Sequence, residues 1–234
     1  MKNIINIFPV ELDQNCKKFF NLIYKKYSMV SEQRIFNTFL ALNYVKKYKI
    51  QGDFVETGVW KGGNPMLAQM FFKKNKIKKN VFLFDTFSGM TKPLSIDSRP
   101  NKEKAIVRYK QLLVNNKSTW VNISLEQVKK NFKKNKILDQ NVFFIKGKIE
   151  ETGKKLPSKL KKISILRIDT DFYESVYASL KYLFPLLVKN GVLIIDDYGY
   201  WKGAKKAVDD YFKEKNIKMF LNYIDHVGRC GIKN

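Results

Sequence analysis

Ile163-Ser-Ile-Leu-Arg-Ile-Asp-Thr-Asp171 and Val192-Leu-Ile-Ile-Asp-Asp197 decide the fold. Each is a short, almost unbroken apolar run that stops on carboxylates. Runs of roughly four to eight such residues are strand-sized, and strands this apolar leave no face for water, so they belong to a sheet covered on both sides. Between them Val176, Leu180, Leu183, Phe184 and Leu187 trace one helix face until Pro185 and Gly191 interrupt it.

The same alternation extends in both directions. Asp53-Phe54-Val55-Glu56 is a strand that closes in a glycine turn, Gly58 to Gly63, before Met66, Leu67, Met70 and Phe71 recur at helical spacing. Val81 to Phe84 is a strand ending at Asp85, and Asn141 to Lys146 is another. Ser124-Leu-Glu-Gln127 has the form of a capping box ahead of Leu125, Val128 and Phe132. A further helix from about Lys202 carries Ala204, Ala207, Val208 and Tyr211. Two more helices, about Gln14 to Tyr27 and Ser31 to Lys49, precede the sheet and either pack on it or cap a site. The pattern predicts an α/β fold with a mostly parallel sheet, whose right-handed crossovers gather the strand C-termini on one edge. Open α/β sheets bind ligands there. Glu56, Asp85, Asp169 and Asp196 all fall at such ends.

The chain has 234 residues, 44% of them hydrophobic, enough for one large core. A helical segment over 1–50 and a sheet domain over 51–234 are expected to form one compact unit. No apolar run approaches the roughly 18 residues of a membrane span. Glu11 and Asp13 after Pro9 lack the basic-then-apolar order of a secretion signal, so a cytoplasmic protein is expected. Cys16 and Cys230 lie near opposite ends and build neither a zinc site nor a redox pair. The formal net charge of +24 comes largely from lysine pairs such as Lys73-Lys74, Lys78-Lys79, Lys129-Lys130, Lys133-Lys134 and Lys161-Lys162. These read as solvated surface, with attraction to a polyanion as the alternative.

The turn from Glu56 to Gly63 lets backbone approach a ligand and presents a helix N-terminus. An acid at the end of the next strand, Asp85, suits ribose hydroxyls. Together they indicate a nucleoside site without separating a nicotinamide cofactor from S-adenosylmethionine. Asp169, Asp171, Asp196 and Asp197 are harder to explain as helix caps alone, although Asp171 and Asp197 could each serve as one. Adjacent carboxylates at a buried edge need compensation, and an all-oxygen donor set suits Mg²⁺, or Mn²⁺ or Ca²⁺, rather than zinc.

Phe54-Val-Glu-Thr-Gly-Val-Trp-Lys-Gly-Gly63, Phe84-Asp-Thr-Phe-Ser-Gly89, Arg167-Ile-Asp-Thr-Asp-Phe-Tyr-Glu-Ser175 and Gly191-Val-Leu-Ile-Ile-Asp-Asp-Tyr-Gly199, in that order, resemble the macrocin O-methyltransferase family. The resemblance runs from about Tyr27 to Tyr211. It implies a Rossmann-like class I S-adenosylmethionine-dependent methyltransferase with a seven-stranded sheet flanked by helices and an N-terminal helical cap, acting on sugar hydroxyls of natural products. Ser28-Met29-Val30-Ser31 with Arg34 resembles the segment that closes over the cofactor. Lys146 to Thr152 resembles the adenine-side loop, with a lysine where the family often has an aromatic. By resemblance, Asp169, Asp196 and Asp197 hold the metal and Asp171 is the general base. The cofactor falls to Met29, Glu56, Thr57, Gly58, Val59, Trp60, Asp85, Thr86, Phe87, Gly89, Gly147, Lys148 and Asp169.

The expected acceptor is a sugar, nucleotide sugar or glycan, in bacterial surface polysaccharide or glycosylated natural products. Relatives form dimers or larger assemblies, so a homo-oligomer is expected. Two rivals stand beside this reading. Tyr177-Ala-Ser-Leu-Lys181 matches the Tyr-x-x-x-Lys of NAD(P)-dependent reductases, although Tyr177 and Leu180 share the packing face of Phe184. A basic RNA- or polyanion-directed protein is the other, with Lys205-Lys206 near Tyr200 and Trp201 as its nearest approach to a base-stacking surface. Those two aromatics read better as a wall of the acceptor pocket, and His226 as a surface or packing residue away from every motif.

Overall fold

A computed structural model describes Val10 and residues 14–234. Pro9, Glu11 and Asp13, on which the reading of the N-terminus rested, lie outside the described residues. The order of elements is α1 (Gln14–Leu22), continuing as a π-helical turn (Ile23–Tyr27), α2 (Glu32–Lys47), β1 (Asp53–Thr57), α3 (Gly63–Lys74) and β2 (Val81–Asp85). An insertion follows, with α4 (Ala105–Gln111) and a small hairpin of β3 (Leu113–Val114) and β4 (Lys117–Ser118). Then come α5 (Leu125–Lys134), β5 (Val142–Lys146), α6 (Ile149–Thr152), β6 (Ile163–Ile168), α7 (Tyr173–Leu183), β7 (Leu187–Ile195), α8 (Lys202–Glu214), β8 (Asn222–Tyr223) and β9 (Arg229–Ile232).

The seven-stranded sheet runs β5-β2-β1-β6-β7-β9-β8. The five strands from β5 to β7 are mutually parallel. β9 enters antiparallel beside β7 and pairs antiparallel with β8, so it is the one reversed strand of the sheet. Alternate residues feed two cores, as a pleated strand requires. Phe54, Leu83, Ile165 and Ile194 pack with α1, α2, α3 and α5 on one face. Val55, Phe82, Leu166 and Leu193 pack with α7 and α8 on the other.

Local chemistry sets several boundaries. Ser31 caps α2 and Ser124 caps α5, each hydroxyl accepting an N–H three residues on. Only half of the expected capping box forms at α5, because the Gln127 amide turns to Asn131 instead. Leu187, expected on the helix of Val176 and Leu183, opens β7, since Pro185 ends that helix in a short 3-10 turn (Phe184–Leu186). The lysine pairs are as solvated as expected: Lys73, Lys74, Lys129, Lys130, Lys133, Lys134, Lys161 and Lys162 are all exposed. Lys79 is the partial exception, its ammonium donating to the carbonyls of Ile50 and Gly52. No helix among the described residues is long and apolar enough to cross a membrane, and Cys16 and Cys230 are not bonded to one another.

Candidate active site

The parallel strands deliver their last residues to one edge, where the ladder continues a residue beyond the strands. Gly58 donates to the Phe84 carbonyl, Gly147 to Asp85, Asp169 to Thr57 and Asp196 to Ile168, at 2.8–2.9 Å. The side chains at these positions are thereby fixed relative to one another. At Gly58 (φ +76°) a Cβ would stand 1.9 Å from the Asp169 carbonyl oxygen, so glycine is what lets the ends of β1 and β6 come together.

At that edge lies a cavity of about 760 Å³. Of the residues expected to contact a cofactor, Met29, Gly58, Trp60, Asp85, Thr86, Gly89, Gly147, Lys148 and Asp169 line it, as do Asp171, Asp196 and Asp197. Glu56, Thr57, Val59 and Phe87 are buried behind the wall instead. Thr57 is hydrogen-bonded to Ser179, and Phe87 packs into the core near Phe144. The Asp85 carboxylate accepts from the N–H groups of Val59 (2.7 Å), Trp60 (3.3 Å) and Phe87 (2.7 Å). It therefore pins the glycine turn to the end of β2. Burial raises its pKa, against the pull of those three N–H groups.

Carboxylate oxygens of Asp169, Asp196 and Asp197 lie within 4.8 Å of one another. Two guanidiniums, neither given a charge role by the sequence reading, hold this cluster. Arg167, wholly buried inside β6, donates to Glu56 (2.5 Å), Asp169 (2.6 Å) and Asp196. Arg34, from the first turns of α2, donates to Asp196 and, at 3.1 Å, to Asp225. Asp225 also accepts from the Ser31 hydroxyl at 2.5 Å and from the N–H groups of Val227 and Gly228. The loop between β8 and β9 is thus fastened to the start of α2. It carries His226 to the cavity, which corrects its expected place away from every motif; the residue remains exposed, as a surface role requires.

Two guanidiniums do not balance Glu56, Asp169, Asp171, Asp196, Asp197 and Asp225. Burial pushes Glu56 up to about 8 even beside Arg167. It pushes Asp196 up to about 7, and burial with repulsion from Asp171 raises Asp197 well above the usual range. Oδ2 of Asp197 is buried with no hydrogen-bond partner. Clustered carboxylates with an orphaned oxygen, a donor set of oxygens alone, fit a hard divalent cation.

Asp171 holds a left-handed backbone (φ +64°), and its carboxylate accepts from the Trp201 indole at 2.8 Å. Burial, then repulsion from Asp169, raises it to about 7. Trp201, Trp120 and Phe172 meet edge to face with centroids 5.6–6.2 Å apart, and Tyr200 stands against Trp201, so Tyr200, Trp201 and Trp120 give the cavity an aromatic side. The Tyr177–Lys181 pair lies elsewhere: the Tyr177 hydroxyl donates to Glu214 of α8, and neither residue lines the cavity.

A five-stranded parallel core with one reversed strand inserted at its far side, and a glycine turn facing an acid at the end of β2, define a nucleoside-cofactor methyltransferase of the Rossmann-like class. The chain belongs to the macrocin-O-methyltransferase (TylF) family, which matches residues 22–230, and is accordingly an S-adenosylmethionine-dependent O-methyltransferase. It is 29% identical over 203 residues, 86% of its length, to demethyldecarbamoylnovobiocin O-methyltransferase of Streptomyces niveus, of which 74% is covered. The same identity and coverage relate it to 8-demethyl-8-(2,3-dimethoxy-alpha-L-rhamnosyl)-tetracenomycin-C 4'-O-methyltransferase of Streptomyces olivaceus. Among solved structures, the O-methyltransferase NovP superposes with a TM-score of 0.76 at 27% identity, covering 89% of this chain and 82% of that one.

Proposed function

We propose that the chain methylates a sugar hydroxyl in a reaction that depends on a divalent cation held by Asp169, Asp196 and Asp197. One observation carries this reading: three carboxylates within 4.8 Å of one another, one with a buried oxygen that nothing satisfies, on the wall of the cavity that also holds the glycine turn. The rhamnosyl group in the name of the tetracenomycin relative favours a sugar as acceptor.

S-adenosylmethionine supplies an electrophilic methyl group, and residues Gly58, Trp60, Asp85 and Gly147 would face it. A bound Mg²⁺ or Mn²⁺ supplies Lewis-acid stabilisation for charge developing on the acceptor oxygen. The protein's own part is the rest. Arg167 and Arg34 hold Asp196 in one orientation, and Arg167 also fixes Asp169. Asp171, oriented by Trp201, accepts the proton that the acceptor hydroxyl loses as its oxygen takes the methyl group. Tyr200, Trp201 and Trp120 wall the cavity and exclude water from the reacting atoms. The acceptor belongs to a glycan, a nucleotide-linked sugar or a glycosylated natural product.

The test is transfer of label from methyl-labelled S-adenosylmethionine to a panel of sugars, nucleotide sugars and glycan fragments, with Mg²⁺ and after exhaustive chelation. Transfer to a sugar oxygen that stops on chelation and returns with Mg²⁺ is expected. Undiminished turnover in chelator removes the metal from the reading.

A further inference from the structure

The cavity is lined by charges of both signs. Its floor is the carboxylate cluster at the ends of β6 and β7. The insertion between β2 and α5 lines the cavity as well, one indole away from Asp171, and carries Arg99 and Arg108. The Arg99 guanidinium lies over the Tyr200 ring at 4.9 Å and the Trp201 ring at 5.5 Å, and Arg108 lies over Trp120 at 5.0 Å. Trp120 and Trp201 are themselves neighbours, 6.2 Å between centroids. A guanidinium laid on a ring is held in place while its N–H edges remain available to an anion. Arg99 gives one nitrogen to the exposed Glu103 at 2.6 Å, and Arg108 has no acidic partner among the described residues.

The insertion is also rigidly mounted. Asp97, two residues before Arg99, is buried, and its carboxylate accepts from the N–H groups of Leu94 (2.7 Å) and Tyr173 (2.9 Å). A Cβ on Gly203 would stand 1.7 Å from Asp97 Oδ1, so the insertion is seated directly on the first turns of α7 and α8. Nothing in the methyl-transfer chemistry itself uses this cationic pair.

We infer that Arg99 and Arg108 form a subsite for a diphosphate, so that the acceptor is a sugar linked through a diphosphate to a carrier. This rests on the methyl-transfer reading above and names its acceptor class. One carboxylate engages one guanidinium through its fork, whereas two guanidiniums on adjacent rings match two successive phosphoryl groups. The acidic floor repels the same anion, which orients the acceptor with its neutral sugar toward Asp171 and its phosphates toward the insertion.

Calorimetric titration in chelator, with the protein saturated in S-adenosylhomocysteine, tests the subsite without requiring turnover. Inorganic pyrophosphate is expected to bind. Arg99→Gln and Arg108→Gln should each weaken it about tenfold or more, and Arg108→Lys should restore part of the loss. S-adenosylhomocysteine affinity serves as the control for folding. Tighter binding of uridine diphosphate than of pyrophosphate points to a nucleotide carrier, and tighter binding of farnesyl diphosphate to a lipid carrier. No pyrophosphate binding, or binding that neither substitution weakens, overturns the subsite. If the control ligand itself fails to bind the unaltered protein, the methyl-transfer reading falls instead.

Discussion

The Trp201 indole donates to the Asp171 carboxylate at 2.8 Å, tying the residue before α8 to the proposed base. Burial holds Asp171 near 7, and the indole opposes that rise. A base must be ionised, and a bound cation offsets the repulsion from Asp169 that helps raise Asp171, so the rate should climb with pH along a limb below the metal-free value of about 7. Trp201→Phe keeps a ring but removes the N–H, and should move this limb upward by about one unit, the size of one hydrogen bond to a charged group. Asp171→Asn should lower kcat by roughly 10²- to 10⁴-fold. Pre-steady-state methyl transfer across pH reads both, and full activity in the Asn variant removes Asp171 as the base.

The same crowding of carboxylates makes the metal-free protein sensitive to alkali. Folded-state values of about 8 for Glu56 and about 7 for Asp196 exceed their unfolded values, so the folded state binds more protons between the two. Stability should fall as pH rises from about 5 to 8 in chelator. A cation removes the penalty of ionisation, so Mg²⁺ or Mn²⁺ should raise Tm more at pH 8 than at pH 5. A stabilisation that is flat across this window would contradict the cluster as the binding site.

Arg167 is the only buried cation touching Glu56, Asp169 and Asp196 together among the described residues. Arg167→Met leaves three carboxylates facing one another, and a loss of about 3–5 kcal/mol is expected, as for one partner removed from a buried pair. Urea unfolding at pH 8 and at pH 5 provides the measurement. The loss should shrink at pH 5, where the carboxylates hold their protons.

Gly58→Ala should be costly out of proportion to one methyl group. Left-handed backbone alone costs roughly 1–2 kcal/mol for an L-residue, and the new Cβ meets the Asp169 carbonyl at 1.9 Å. Because the clash separates β1 from β6, affinity for S-adenosylhomocysteine should fall with stability. A variant with unchanged affinity and Tm would show that the two strand ends do not meet as described.

Much of this was legible in the sequence, for physical reasons. β1, β2, β5 and β6 are apolar runs ending on polar residues, and burial on both faces leaves a strand no other composition. The clustered carboxylates were visible because they follow the apolar ends of β6 and β7. β8 and β9 were not: β8 is a two-residue edge strand of exposed Asn222 and Tyr223, and β9, between it and β7, is the four residues Arg229–Ile232 with no apolar alternation. α4 escaped because Ala105 is its one buried residue. Arg167 did leave a signal, a guanidinium inside an otherwise apolar strand, which can be stable only against buried acids. Arg99, Arg108 and His226 left none, since only tertiary packing brings the insertion and the last loop to the cavity.

The fastening of Ser31 and Arg34 to Asp225 has a consequence for how the protein comes into being. Arg34 reaches Asp196 across 162 positions, and Ser31 and Arg34 reach Asp225 across 194 and 191. Contacts of such separation are slow to close, because a long loop must be ordered first. On the ribosome the five parallel strands emerge well before residue 225, so a nascent chain can assemble its sheet while its active site is still open. Competence should therefore appear only once the loop between β8 and β9 has emerged and docked on α2.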